Sequence, residues 1–174
     1  MINMSLQKVC LDAQVYIWGI KEESIPEQKQ MIDLSKKLFE YLENKNIDVI
    51  LPTPLITELT WTMDETKREK LTKYLIQRFK PAPFDAVSAI ICGKMLSQYV
   101  NKPNYAQIKQ DIGKRKLKYD ALIASIAIKN ECDCIFTMDE DFNIAKNFID
   151  IKKIPDNLSL FDAENSDTPN IFNT

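Results

Sequence analysis

Val9-Cys10-Leu11-Asp12 is a short apolar run that stops on a carboxylate, and the same design returns far downstream in Ile135-Phe136-Thr137-Met138-Asp139. Apolar runs this short, flanked by longer segments of helical periodicity, read as buried strands. The segment Gln28 to Glu43 carries Met31, Leu34, Leu38, Phe39 and Leu42 on one stripe with charges elsewhere, which predicts a covering helix. Strands alternating with helices define an α/β chain with a central, mostly parallel sheet flanked by helices. The expected strands are Val9 to Asp12, Asp48 to Leu51, a short one near Pro83-Phe84, Cys134 to Met138, and Ile149 to Ile154.

In an open α/β sheet, chemistry collects beyond the carboxyl ends of the strands, where Asp12 and Asp139 are expected to stand. Two further acids fall at strand-to-helix transitions. Glu58 lies about one turn into a helix for which Thr53 is the expected N-cap and Pro54 a first-turn residue. Asp120 is expected to open the apolar helix Asp120-Ala121-Leu122-Ile123-Ala124-Ser125-Ile126-Ala127. A lone Asp or Glu is usually a solvated residue or a helix cap. Glu58 fits that reading poorly, because Leu55, Ile56, Leu59 and Trp61 imply a largely buried helix. One shared site explains all four acids. Uncompensated carboxylates suit a hard cation, most simply Mg²⁺ or Mn²⁺.

Composition narrows the classes. A chain of 174 residues with 45% hydrophobic content supports one domain, expected over 1–154, and a polar tail over 155–174. The formal charge of -2 provides no global basic field, so a nucleic-acid partner must be held by a local patch. Three glycines leave no Gly-rich phosphate loop. The N-terminal residues lack the apolar core of a signal peptide, and the longest nearly continuous apolar segment, Ala121 to Ile128, is far short of the roughly 20 residues that span a bilayer. The expectation is a cytoplasmic protein whose Cys10, Cys92, Cys132 and Cys134 are reduced thiols. Cys132-x-Cys134 reads as strand alternation, since neither a second pair nor any histidine accompanies it.

The order and spacing of the four acids resemble the PIN-domain nucleases, most closely the VapC-type toxin ribonucleases of bacterial toxin-antitoxin pairs. The resemblance runs from about Val9 to Ile154 and is most specific at Asp120-Ala121-Leu122-Ile123-Ala124 and at Thr137-Met138-Asp139-Glu140-Asp141-Phe142. After the first aspartate the family usually has Thr or Ser and then Asn or Ser; this chain has Ala13-Gln14. The resemblance implies a three-layer fold and metal-dependent endonucleolytic cleavage of RNA, leaving a 5′-phosphate and a 3′-hydroxyl. It implies Asp12, Asp120 and Asp139 as ligands, directly or through water, and Glu58 as a ligand or a group that positions the attacking water. Asp141 is an alternative ligand or a helix cap. The resemblance also implies a homodimer and a small antitoxin that inserts an amphipathic helix into a groove lined by the early helices.

With no histidine in the chain, metal must supply the activation. Lys109, Lys114, Arg115, Lys116 and Lys118 lead directly into Asp120 and could hold flanking phosphates by charge. Lys67, Arg68, Lys70 and Lys73 form a weaker candidate, with Asp64, Glu65 and Glu69 among them. Trp61 and Tyr119 read either as stacking platforms for bases or as core. Two other classes stay open: a PIN-fold RNA- or protein-binding module with weakened catalysis, and a metal-dependent phosphatase acting on small phosphoesters.

Overall fold

The computed structural model describes residues 6–103, 114–140 and 142–156. Five strands form one sheet in the order β3-β2-β1-β4-β5, and every pairing is parallel. They are β1 (Lys8–Leu11), β2 (Asp48–Pro52), β3 (Lys80–Ala82), β4 (Cys134–Phe136) and β5 (Asp150–Lys152). Val9, Cys10 and Leu11 are completely buried, as are Cys134, Ile135 and Phe136. A strand covered on both faces reads as a continuous apolar run, which is why both segments lack polar alternation.

Connections between parallel strands must cross over, and here they do so through α1 (Ala13–Tyr16), α2 (Gln30–Asn44), α3 (Thr53–Thr60), α4 (Glu65–Arg78), α5 (Ala86–Val100) and α6 (Lys114–Lys129). The architecture is the expected three-layer α/β fold. A π-helical turn, Ile17–Lys21, prolongs α1 and packs on α2. Gly19 sits at that crossing, where a Cβ would lie 2.4 Å from the Phe39 ring. Phe39 cannot easily give way, because it packs with Tyr16 and Phe79 in a three-ring cluster with centroids 5.3 to 5.9 Å apart.

Three expectations shift. The third strand is Lys80–Ala82, just before Pro83-Phe84; it holds the sheet edge, where the missing N–H of Pro81 is tolerated. β2 runs straight into α3, so Pro52 is the N-cap and Thr53 is already helical, with no side chain capping the turn. Asp120 does not open its helix, because α6 begins at Lys114 and Asp120 lies more than a turn inside it. At the start of α5, Asp85 accepts the Ser88 N–H at 2.9 Å, and the inward row of the helix is Ser88, Cys92 and Met95, while Val87 and Ile90 face solvent. An almost continuously apolar helix does not reveal its buried face through hydrophobicity alone.

Candidate active site

The chain builds outward from β1 through β2 to β3, then returns across the sheet to lay β4 on the other side of β1. That reversal leaves a topological switch point between β1 and β4, where loops diverge and a crevice opens. Leu11 pairs with Phe136, and the Asp12 N–H donates to the Phe136 carbonyl at 3.0 Å, so the two strands end side by side. Asp12 and Asp139 therefore enter the same crevice from adjacent strand ends.

Local geometry holds Asp12 firmly. It is the N-cap of α1, with extended backbone, and its Oδ1 accepts the Ala13 N–H at 2.7 Å. Its Oδ2 accepts from the Thr137 hydroxyl at 2.8 Å, and the same hydroxyl oxygen accepts the Asp139 N–H at 3.0 Å. One buried hydroxyl thus ties the loop after β1 to the loop after β4. This role of Thr137 goes beyond the sequence expectations, although it was detectable as the one polar residue in an otherwise apolar run.

The crevice is a cavity of about 440 Å³ lined by Asp12, Glu58, Asp120 and Asp139, together with Gln14, Lys116 and Tyr119. All four predicted acids meet there. Asp120 is 7% exposed, and Lys116, four residues earlier, shares its face of α6. The Lys116 ammonium reaches Asp139 Oδ2 at 2.7 Å. Glu58 differs from expectation: it is exposed on the lip of the cavity, and Trp61, one turn beyond Thr57, is 70% exposed. Leu55, Leu59 and Thr60 form the buried side of α3, which leaves Thr57 and Glu58 exposed on the opposite side.

Electrostatics couple these groups. Burial raises the Asp12 pKa above its ordinary value; the Thr137 and Ala13 hydrogen bonds pull it down, and the charges of Glu58 and Asp139 push it up again. The Tyr119 hydroxyl is pushed well above the usual phenol range by burial first, then by Glu58, Asp12 and Asp120. That hydroxyl lies near Glu58 and has no hydrogen-bond partner of standard geometry among the described residues. A raised Asp12 pKa means the folded chain holds this proton more tightly than the unfolded chain. Metal-free protein should then lose stability as pH rises from 3.8 through the folded value, and Asp12→Asn should lack that decline. Melting curves in chelator across this range check it.

Asp12, Glu58, Asp120 and Asp139 offer one cavity the carboxylate oxygens that hard divalent cations bind. Asp139 already accepts an ammonium, and the buried Trp18, which lines the cavity, has an indole N–H without a partner among the described residues. Among those same residues no three His, Cys, Asp or Glu side chains form a ready-made ligand cage.

The predicted basic patch divides. Lys116 enters the cavity, whereas Arg115 and Lys118 project into solvent on the same helix. Lys109, Asp141 and the Lys114 side chain lie outside what the structure describes, as does the tail beyond 156. Lys67, Arg68, Lys70 and Lys73 lie exposed on α4, and none lines the cavity. A smaller hollow, near the amino ends of β2 and β3, contains Arg78 paired with Glu43 and Lys80 paired with Asp48. Each cation there already has its acid. No described helix is long and apolar enough to cross a membrane.

Curated proteins offer no match to this sequence. Among solved structures, the fold is similar to the VapBC2 complex of Rickettsia felis bound to a DNA fragment from its promoter, with a TM-score of 0.57 and 16% identity. It is also similar to DNA-bound VapBC of Salmonella typhimurium, at 0.54 and 15%. Each match covers 86% of this chain and 100% of the other. At such identities the likeness speaks for the fold. The family model for the PIN domain matches residues 9–147, most of the chain, and the chain therefore belongs to the PIN-domain family.

Proposed function

We propose that this protein is a metal-dependent endoribonuclease, the toxin member of a toxin-antitoxin pair. The observation that carries the reading is the meeting of Asp12, Glu58, Asp120 and Asp139 in one crevice at the switch point of the sheet. Family membership supports phosphodiester hydrolysis, and the absence of histidine from the sequence leaves carboxylates to organise it.

Asp12, Asp120 and Asp139 would hold Mg²⁺ or Mn²⁺, directly or through water. When bound, such an ion lowers the pKa of coordinated water and neutralises charge on phosphate oxygens. Glu58, exposed on the lip, orients the attacking water or accepts its proton. Thr137 keeps Asp12 and the Asp139 backbone in register. A shallower hollow of about 460 Å³, lined by Pro54, Thr57, Glu58 and Tyr119, adjoins the crevice and suits the base or sugar of a flanking nucleotide. Trp61 extends that face of α3 outward and can stack on the next base.

Outside the crevice, Arg115 and Lys118 hold strand phosphates. The double variant Arg115→Ala, Lys118→Ala should weaken binding of a single-stranded RNA and reduce the slope of log affinity against log salt by about 1 to 1.5, near 0.7 per lost contact. An unchanged slope would send the RNA path toward Lys67 to Lys73. The Rickettsia and Salmonella neighbours are toxin-antitoxin complexes, which supports an antitoxin partner here. A partner helix would find apolar area at Trp61, Tyr74 and Ile76, and a second copy of the chain at Val87 and Ile90.

The decisive comparison offers the protein an RNA oligonucleotide and, separately, a small aryl phosphate, both with Mn²⁺. Internal cleavage of the RNA with no turnover of the small ester supports the proposal. The reverse pattern would make the protein a phosphatase, and inactivity on both would make it a binding module.

A further inference from the structure

Among the described residues, Lys116 is the one basic side chain in a cavity that holds four carboxylates, and it engages an oxygen that the proposed function assigns to a metal. Helical spacing explains how it gets there: Lys116 and Asp120 stand one turn apart on the inward face of α6, so the residue that buries an acid also points an ammonium at the neighbouring loop. Its neighbours Arg115 and Lys118 turn outward. The pair with Asp139 is partly shielded, with side chains 40% and 29% exposed, and Asp12 and Glu58 add negative charge around it. An ammonium and a divalent ion compete for the charge of the same carboxylate, and each repels the other at this range.

We propose that Lys116 is a displaceable internal counter-ion. It neutralises the Asp139 end of the crevice in the metal-free protein, yields that oxygen to Mg²⁺ or Mn²⁺, and once displaced binds a phosphate oxygen of the RNA. The inference rests on the carboxylate crevice being a metal site, and it assigns Lys116 two opposed effects: it weakens metal binding and strengthens substrate binding. A merely structural ion pair would do neither.

The test is Mn²⁺ titration by calorimetry on wild type, Lys116→Met, Lys116→Arg and Asp12→Asn, with melting curves in chelator and in excess Mn²⁺. The long apolar stem of Met keeps the packing of the lysine chain, and Lys116→Arg keeps its charge. Lys116→Met should bind Mn²⁺ on the order of tenfold more tightly, from removal of one nearby positive charge and one competing ion pair. Its melting temperature should fall below wild type in chelator and recover in Mn²⁺. Lys116→Arg should stay near wild type in both measurements. KM for an RNA oligonucleotide should rise several-fold in Lys116→Met. Equal or weaker Mn²⁺ affinity in folded Lys116→Met, with wild type binding and Asp12→Asn not binding, would overturn the counter-ion role and leave the metal site standing. No Mn²⁺ binding by wild type would overturn the metal site, and this inference with it.

Discussion

Asp12→Asn and Asp120→Asn should each lower RNA cleavage by at least about a hundredfold, equivalent to roughly 2.7 kcal/mol of lost transition-state stabilisation, without unfolding the chain. The two acids come from different elements of the fold. Asp12 sits at the end of β1 with both carboxylate oxygens held, one by the start of α1 and one by Thr137. Asp120 is buried inside α6 and faces the same crevice. Asparagine keeps volume and shape at both positions while removing the charge that a cation needs, so loss of cleavage with an unchanged melting cooperativity identifies a ligand. Single-turnover cleavage at saturating RNA, with circular dichroism on the same samples, provides both readings. A folded variant that cleaves at the wild-type rate under limiting Mn²⁺ would remove that acid from the site.

Thr137→Val should produce the second large effect, and through a residue that touches no substrate. Its hydroxyl is 1% exposed, donates to Asp12 and accepts from the Asp139 backbone. Valine is nearly isosteric but leaves the half-buried Asp139 N–H without this acceptor, which costs about 1 kcal/mol of stability, the lower end of the range for an unsatisfied donor. Groups that orient metal ligands typically matter by about 10–100-fold, so cleavage should fall by that amount, with tighter dependence on Mn²⁺ concentration. Thr137→Ser restores the hydroxyl and should recover most of the loss. Stability and Mn²⁺ dependence unchanged in Thr137→Val would mean that the start of α1 alone positions Asp12.

Much of this arrangement was legible before any coordinates. Short apolar strands buried on both faces are unmistakable in Val9-Cys10-Leu11 and Cys134-Ile135-Phe136, and the class follows from their alternation with helices. The convergence of the four acids was legible too, because their positions beyond strand ends follow from parallel topology. Less legible were features decided by tertiary contact. The exposure of Glu58 and Trp61 depends on which side of α3 finds a neighbour, and that side is the one carrying Leu55, Leu59 and Thr60. The start of α6 before Asp120 was hidden because Lys114-Arg115-Lys116-Leu117-Lys118 looks like a linker until its one apolar residue, Leu117, is seen buried. The pairing of Lys116 with Asp139 joins residues from two elements that no local pattern links.

The central claim is that this crevice cleaves RNA with a divalent ion held by its carboxylates. The most direct measurement incubates a 5′-labelled RNA oligonucleotide with the purified protein, first in excess chelator and then with millimolar Mn²⁺, and identifies the new ends. The expected result is no cleavage in chelator, internal cleavage with Mn²⁺, and products bearing a 5′-phosphate and a 3′-hydroxyl. Cleavage that persists in chelator, or folded protein that leaves the RNA intact in Mn²⁺, would contradict it.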